Sequence, residues 1–164
     1  MDSPFSSSPP HLTAYRIADG RHPLFNGAGA MLFGARWNSQ GLPAIYAAMT
    51  FAGAMLEVLA HTGGLGGVPR THQAITIYIP DSVPCVHLAP EEVPGWDAPD
   101  LLTSRAFGDM WLRAGKEAVL IVPSVIAPEE RNLLINPAHV AFKDITVSPP
   151  RDVVWDARFF RGKG

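Results

Sequence analysis

The chain is poor in the residues on which several common functions depend. Cysteine occurs once, at Cys85. No disulfide can form within the chain, which fits a reducing, cytoplasmic setting. Cys85 lies in SVPCVHL, an ordinary strand pattern that argues against a catalytic thiol. Positive charge is also scarce. Thirteen Lys and Arg stand against fifteen Asp and Glu, a net charge of −2, so no electrostatic argument favours nucleic acid. No apolar run reaches membrane-spanning length. The opening MDSPFSSSPPHL has neither the basic start nor the apolar centre of a secretory signal. His11, His22, His61, His72, His87 and His139 show no HxxxH spacing, and there is no CxxC, so no metal is expected. The glycines of GAGAMLFGA lack the lysine and the strand-to-helix context of a phosphate loop. No internal repeat is visible.

What is present is apolar. Hydrophobic residues make up 47% of 164, enough for one domain with a sizeable core. Residues 1–11 are rich in Ser and Pro and read as a flexible tail; residues 12–164 form the domain. Strands are expected at 12–17 (LTAYRI), 74–79 (AITIYI, with Ile75, Ile77 and Ile79 facing the core), 83–88 and 118–122 (AVLIV). Thr103 suits the cap of a helix over 104–114, closed by Gly115. Residues 129–134 lead to a turn at Asn136-Pro137, and 140–147 and 153–160 read as final strands. Residues 19–30 and 91–100 read as loops, the first placed to close over a ligand. The order fits an α+β domain on a mixed or antiparallel sheet with flanking helices.

The stretch from Gly34 to His61, GARWNSQGLPAIYAAMTFAGAMLEVLAH, is the most informative. It reads as a short strand (ARWN), an NSQG turn, a second strand (PAIYAA) and a helix. Thr50 caps that helix, which runs from Phe51 to about His61 and stops at Gly63-Gly64. Glu57 is its lone carboxylate, with small residues one turn away at Gly53, Ala54 and Ala60. It is either part of a narrow solvent face or a functional acid. Arg36, beside Trp37, can serve as a fixed anion fork. Tyr46 is either a half-buried aromatic with a satisfied hydroxyl or a stacking surface. Asn38 suits the turn. Ser124 follows the AVLIV strand but is not in a GxSxG elbow, so a serine hydrolase has little support.

Together these segments resemble the RES domain. The resemblance rests on Tyr15-Arg16, GARWNSQGLPAIYAA at 34–48, LEVLAH with Glu57, and GDMWL at 108–112. VPSVIAPEERNLLINPAH at 122–139 and DAR at 156–158 complete it, in order over roughly 13–160. GARWN stands where GGRWN is more usual, which a negative φ at Ala35 would tolerate.

The resemblance implies a toxin of a bacterial toxin–antitoxin pair, with a fold similar to ADP-ribosyltransferase toxins. It implies NAD as substrate rather than cofactor. The nicotinamide–ribose bond would be cleaved by hydrolysis or phosphorolysis, or ADP-ribose would pass to a protein. An antitoxin, often with an Xre-type helix-turn-helix, would cover the active site and make any DNA contact. Carried over to this chain, the functional positions are Glu57, Arg36 and Tyr46 as catalytic, and Arg16, Arg36, Tyr46, Ser124 and Asn136 as NAD-binding. The residue types agree with the chemistry. A carboxylate near the ribose can stabilise an oxocarbenium-like centre, two arginines can hold a pyrophosphate, Tyr46 can stack and Ser124 can hydrogen-bond. A non-catalytic NAD- or partner-binding module stands as the alternative to be tested, and a homo-oligomer is a further partner expectation.

Overall fold

The cleanest alternation in the sequence, AITIYI, forms the middle of β3 (His72–Pro80). β3 pairs antiparallel with β1 (His11–Asp19) along its whole length, from His11 opposite Pro80 to Asp19 opposite His72. The computed structural model describes residues 11–62 and 67–160; the Ser- and Pro-rich segment 1–10 and the Gly63-Gly64 stop lie outside them. Further along are β2 (Ile45–Ala48), β4 (Cys85–His87), β5 (Val119–Pro123), β6 (Arg131–Ile135), β7 (Thr146–Val147) and β8 (Arg151–Asp152). They join one sheet in the order β4-β5-β6-β2-β1-β3-β7, with β8 also on β3. Only β4 and β5 run parallel among these pairs, so the sheet is mixed and the domain α+β, as expected.

Strand periodicity sorts the core. Ile45, Ala47, Ile75, Ile77, Ile79, Val119, Ile121, Leu133 and Ile135 project into one buried cluster. Their alternating neighbours project to the opposite face, which two helices share. α2 (Phe51–His61) places Ala54 and Val58 over Ile17, Ala48 and Ala74. α3 (Leu102–Ala114) and the Trp37 region cover Leu120, Val122 and Leu134. Strands buried on both sides explain the near-continuous apolar runs.

α2 begins as the sequence predicts, with the Thr50 hydroxyl accepting from the Gly53 N–H at 2.9 Å. Thr62 follows its last turn as the C-cap. α3 begins two residues before the expected start. Leu101, at φ 61°, turns the chain in, and the Asp100 carboxylate accepts from the Leu102 N–H at 3.0 Å, so Thr103 lies inside the first turn. Gly115, at φ 57°, ends it as expected.

Four expectations are corrected. ARWN is a tight turn, closed by a bridge between Ala35 and Asn38, and forms no strand of the sheet. Buried Asn38 donates to the carbonyls of Ala30, Ser39 and Leu42, which pins this segment to its loop. The 19–30 loop ends inside a short helix, α1 (Ala28–Phe33). Within 140–147 the chain is a 3-10 turn over Val140–Asp144, followed by two strand residues. His139 favours that turn by accepting from the Ala141 N–H. Within 153–160 the regular structure is a 3-10 turn over Ala157–Phe160; the neighbouring strand, β8, ends at Asp152 and is preceded by Pro149-Pro150, which cannot donate to a ladder.

Candidate active site

The two helices leave the middle of their shared face open. A cleft of about 660 Å³ runs between α2, the Trp37 turn and the start of α3, floored by β1 and β2. Glu57, Arg36, Arg16 and Tyr46 line it, together with Arg105 and Asn132. The helix that carries Glu57 lies close on the sheet at a small residue. Gly53 is buried, and a Cβ there would lie 3.4 Å from the Ala48 Cβ of β2 and 2.9 Å from the capping Thr50 hydroxyl.

Glu57 reaches across to the ends of β5 and β6. Its Oε1 accepts from Ser124 Oγ at 3.1 Å and from Asn132 Nδ2 at 2.6 Å. Glu57 is half-buried and therefore not part of a bare solvent face. Ser124 is buried, and its hydroxyl also accepts from the Ala127 N–H. The hydroxyl proton is thus committed to Glu57, so Ser124 acts on the carboxylate. One turn on, His61 Nδ1 donates to the Glu57 carbonyl at 2.7 Å.

Three guanidiniums face the cleft, and none has a carboxylate partner among the described residues. Arg36 Nη1 donates to the carbonyls of Trp96 and Ala98. Arg105 Nε donates to the Ala35 carbonyl at 2.8 Å. Arg16 is bound more tightly into the fold. β1 and β2 share one register pair, Tyr15 with Ala48. Beyond it the strands part, and Arg16 fills the gap, donating to the carbonyls of Leu24 at 2.7 Å and Tyr46 at 2.8 Å. Burial lowers its pKa below the ordinary arginine value. Each arginine is braced on carbonyls and keeps N–H groups for an anion.

Tyr46 is fixed by its hydroxyl, which donates to Asn38 Oδ1 at 2.7 Å and accepts from the Trp37 N–H at 3.1 Å. Burial pushes the phenol above its usual value, so it is neutral at pH 7. Its hydroxyl thus ties β2 to the turn that bears Arg36. Gly34 opens that turn at φ 68°, and Ala35 has no positive φ, consistent with the alanine in GARWN. Asn136 lies elsewhere. It is buried, donates to the Leu112 carbonyl at 3.0 Å and accepts from the Ala138 N–H, tying the end of α3 to the turn after β6.

Arg105 and Asn132 were not singled out by sequence reasoning. Arg105 gave no signal, because its side chain meets the cleft only through the packing of α3 on the Trp37 turn. Asn132 did: in NLLI it shares the parity of Leu134, the side that faces the helices. Among the described residues no three His, Cys, Asp or Glu gather as a metal site. No helix there is long and apolar enough to cross a membrane.

The chain is similar to known proteins over most of its length. The RES domain model matches residues 13–156. A Prs ADP-ribosylating toxin of Sphingobium sp. (strain YBL2) is 42% identical over 144 residues, covering 83% of this chain and 86% of that protein. A protein named Toxin Res from Pseudomonas putida is 36% identical over 136 residues, covering 82% of this chain and 92% of that one. The crystal structure of the M. tuberculosis MbcT-MbcA toxin-antitoxin complex contains a chain of the same fold, with TM-score 0.73 and 21% identity over 87% of this chain and 84% of that one. A family match over nearly the whole chain and relatives of similar length converge: this chain belongs to the RES domain family.

Proposed function

We propose that this protein is a toxin that binds NAD in the cleft and cleaves its nicotinamide–ribose bond. The observation that carries the reading is the Glu57 carboxylate, held on one oxygen and placed in a cleft with three arginines that have no described carboxylate partner. Departure of neutral nicotinamide leaves positive charge at the ribose carbon. A carboxylate beside that carbon stabilises it, and the leaving group needs no strong acid. Arg36 and Arg105, with the remaining N–H groups of Arg16, suit the pyrophosphate. Tyr46 contributes a fixed wall and holds the Arg36 turn; its committed hydroxyl makes it a positioning residue. Ser124 acts through Glu57. Asn136 supports α3.

With water as acceptor the products are ADP-ribose, nicotinamide and a proton; with phosphate, ADP-ribose 1″-phosphate. Either would deplete NAD. Transfer of ADP-ribose to a protein is a second reading, supported by the name of the Sphingobium relative. Labelled NAD separates the two, since label appears on protein only in the second.

An antitoxin partner is part of the reading. Phe33, Val125 and Ile126 line the cleft and are exposed, and Leu32 and Leu102 lie close in sequence to lining residues, at 63% and 70% exposure. Such an apolar rim suits a protein cover. Leu32→Asp, outside the cleft lining, is expected to weaken antitoxin binding at least tenfold in calorimetry and leave NAD cleavage intact. Unchanged affinity would place the antitoxin elsewhere.

A further inference from the structure

We infer that Asn132 aims the Glu57 carboxylate, a positioning residue for the cleavage proposed above and resting on that reading. Asn132 Nδ2 and Ser124 Oγ both donate to Oε1, at 2.6 and 3.1 Å. No described residue donates to Oε2. Two donors on one oxygen stop the carboxylate from rotating and leave the second oxygen for the ribose.

The support for Asn132 is rigid. β6 is an inner strand, with Ala48 of β2 opposite Asn132 on one side and Val122 of β5 on the other. The paired backbone therefore fixes the origin of the amide. Ser124 sits on a loop, tied by its N–H to the Glu130 carbonyl and by its Oγ to the Ala127 N–H. The stronger donor thus comes from the more rigid element.

An amide suits this position and an acid does not. The amide donates and carries no charge, so the negative charge of Glu57 remains available to the developing cation. A carboxylate at 132 would share a proton with Glu57 and cancel part of that charge. Isosteric replacement therefore tests the chemistry apart from the shape.

Nicotinamide release is measured for the wild type, Asn132→Ala and Asn132→Asp between pH 5 and 9. Asn132→Ala is expected to lower kcat about 10- to 100-fold, with KM for NAD within about threefold, because aim is lost and the arginines are untouched. Asn132→Asp is expected to move the acid limb of kcat up by about one pH unit or more. An asparagine that did not face the carboxylate would not move that limb. Unchanged kcat in Asn132→Ala, or an unmoved limb in Asn132→Asp, overturns the assignment. A wild type that releases no nicotinamide overturns the NAD-cleavage reading instead. A second measurement does not depend on variants at 132: the side-chain amide resonances of Asn132 in nitrogen-15 spectra should shift in Glu57→Gln. No shift would also overturn the assignment.

Discussion

At the residue scale, one hydroxyl illustrates how the cleft is held. Tyr46 joins the Trp37 N–H and the Asn38 side chain, and Asn38 in turn satisfies three carbonyls. Tyr46→Phe leaves a part-buried amide and an amide oxygen without that partner. The expected cost is about 1–3 kcal/mol in chemical denaturation. The Arg36 turn should loosen as well, raising KM for NAD more than it lowers kcat. Arg105→Ala is expected to raise KM about tenfold by removing one anion contact, read in the same nicotinamide assay. His72 supplies a pH dependence. Its Nδ1 is buried without a hydrogen-bond partner, and burial lowers its pKa, with Asp19 opposing and Arg21 reinforcing the shift. The unfolded chain therefore takes up this proton first. Stability should fall as pH drops below about 6.5, the usual histidine value. The melting temperature is expected to decrease from pH 7 to 5, and His72→Gln should flatten that decrease.

At the element scale, the approach of α3 to the Trp37 turn decides the shape of the cleft. Gly108 is buried there, and a Cβ would lie 1.8 Å from the Trp37 carbonyl oxygen. Gly108→Ala must displace α3 or the turn, which carries Arg36 and receives Arg105. A loss of about 3 kcal/mol or more is expected in urea unfolding, with lowered activity in the fraction that folds. An unchanged midpoint would mean that α3 moves freely. This contact also shows what the sequence could reveal. Glu57 was legible because one acid in an apolar helix stands out, and α2 because Thr50 caps it locally. β3 and β5 were legible through period and apolar runs. The ARWN turn was not, since its cause is Asn38 bonding to carbonyls up to eight residues away. Arg105 was not, because only the α3 contact at Gly108 brings it to the cleft. Asn136 carried the right motif, but its amide is spent on Leu112. The start of α3 was missed because Asp100 and a left-handed Leu101 replace the obvious Thr103 cap.

At the scale of the whole molecule, the cleft follows from one sheet with two unequal faces. One face closes over an apolar cluster; the other is divided between α2 and α3, and their separation is the cleft. β1 and β2 share a single register pair, and Arg16 bridges the strands beyond it. The Glu57 carboxylate from α2, its hydrogen-bond donors from β6 and the loop after β5, and guanidiniums from β1, the Trp37 turn and α3 then meet in one place. The central claim, that Glu57 acts on the nicotinamide–ribose bond, has a direct test. Purified wild type and Glu57→Ala are incubated with NAD, with and without phosphate, and products are followed by proton and phosphorus NMR. Nicotinamide release by the wild type is expected, with a loss of about 100-fold or more in Glu57→Ala while that protein remains folded. Equal release by the two proteins, or none from a folded wild type that binds NAD, would contradict it.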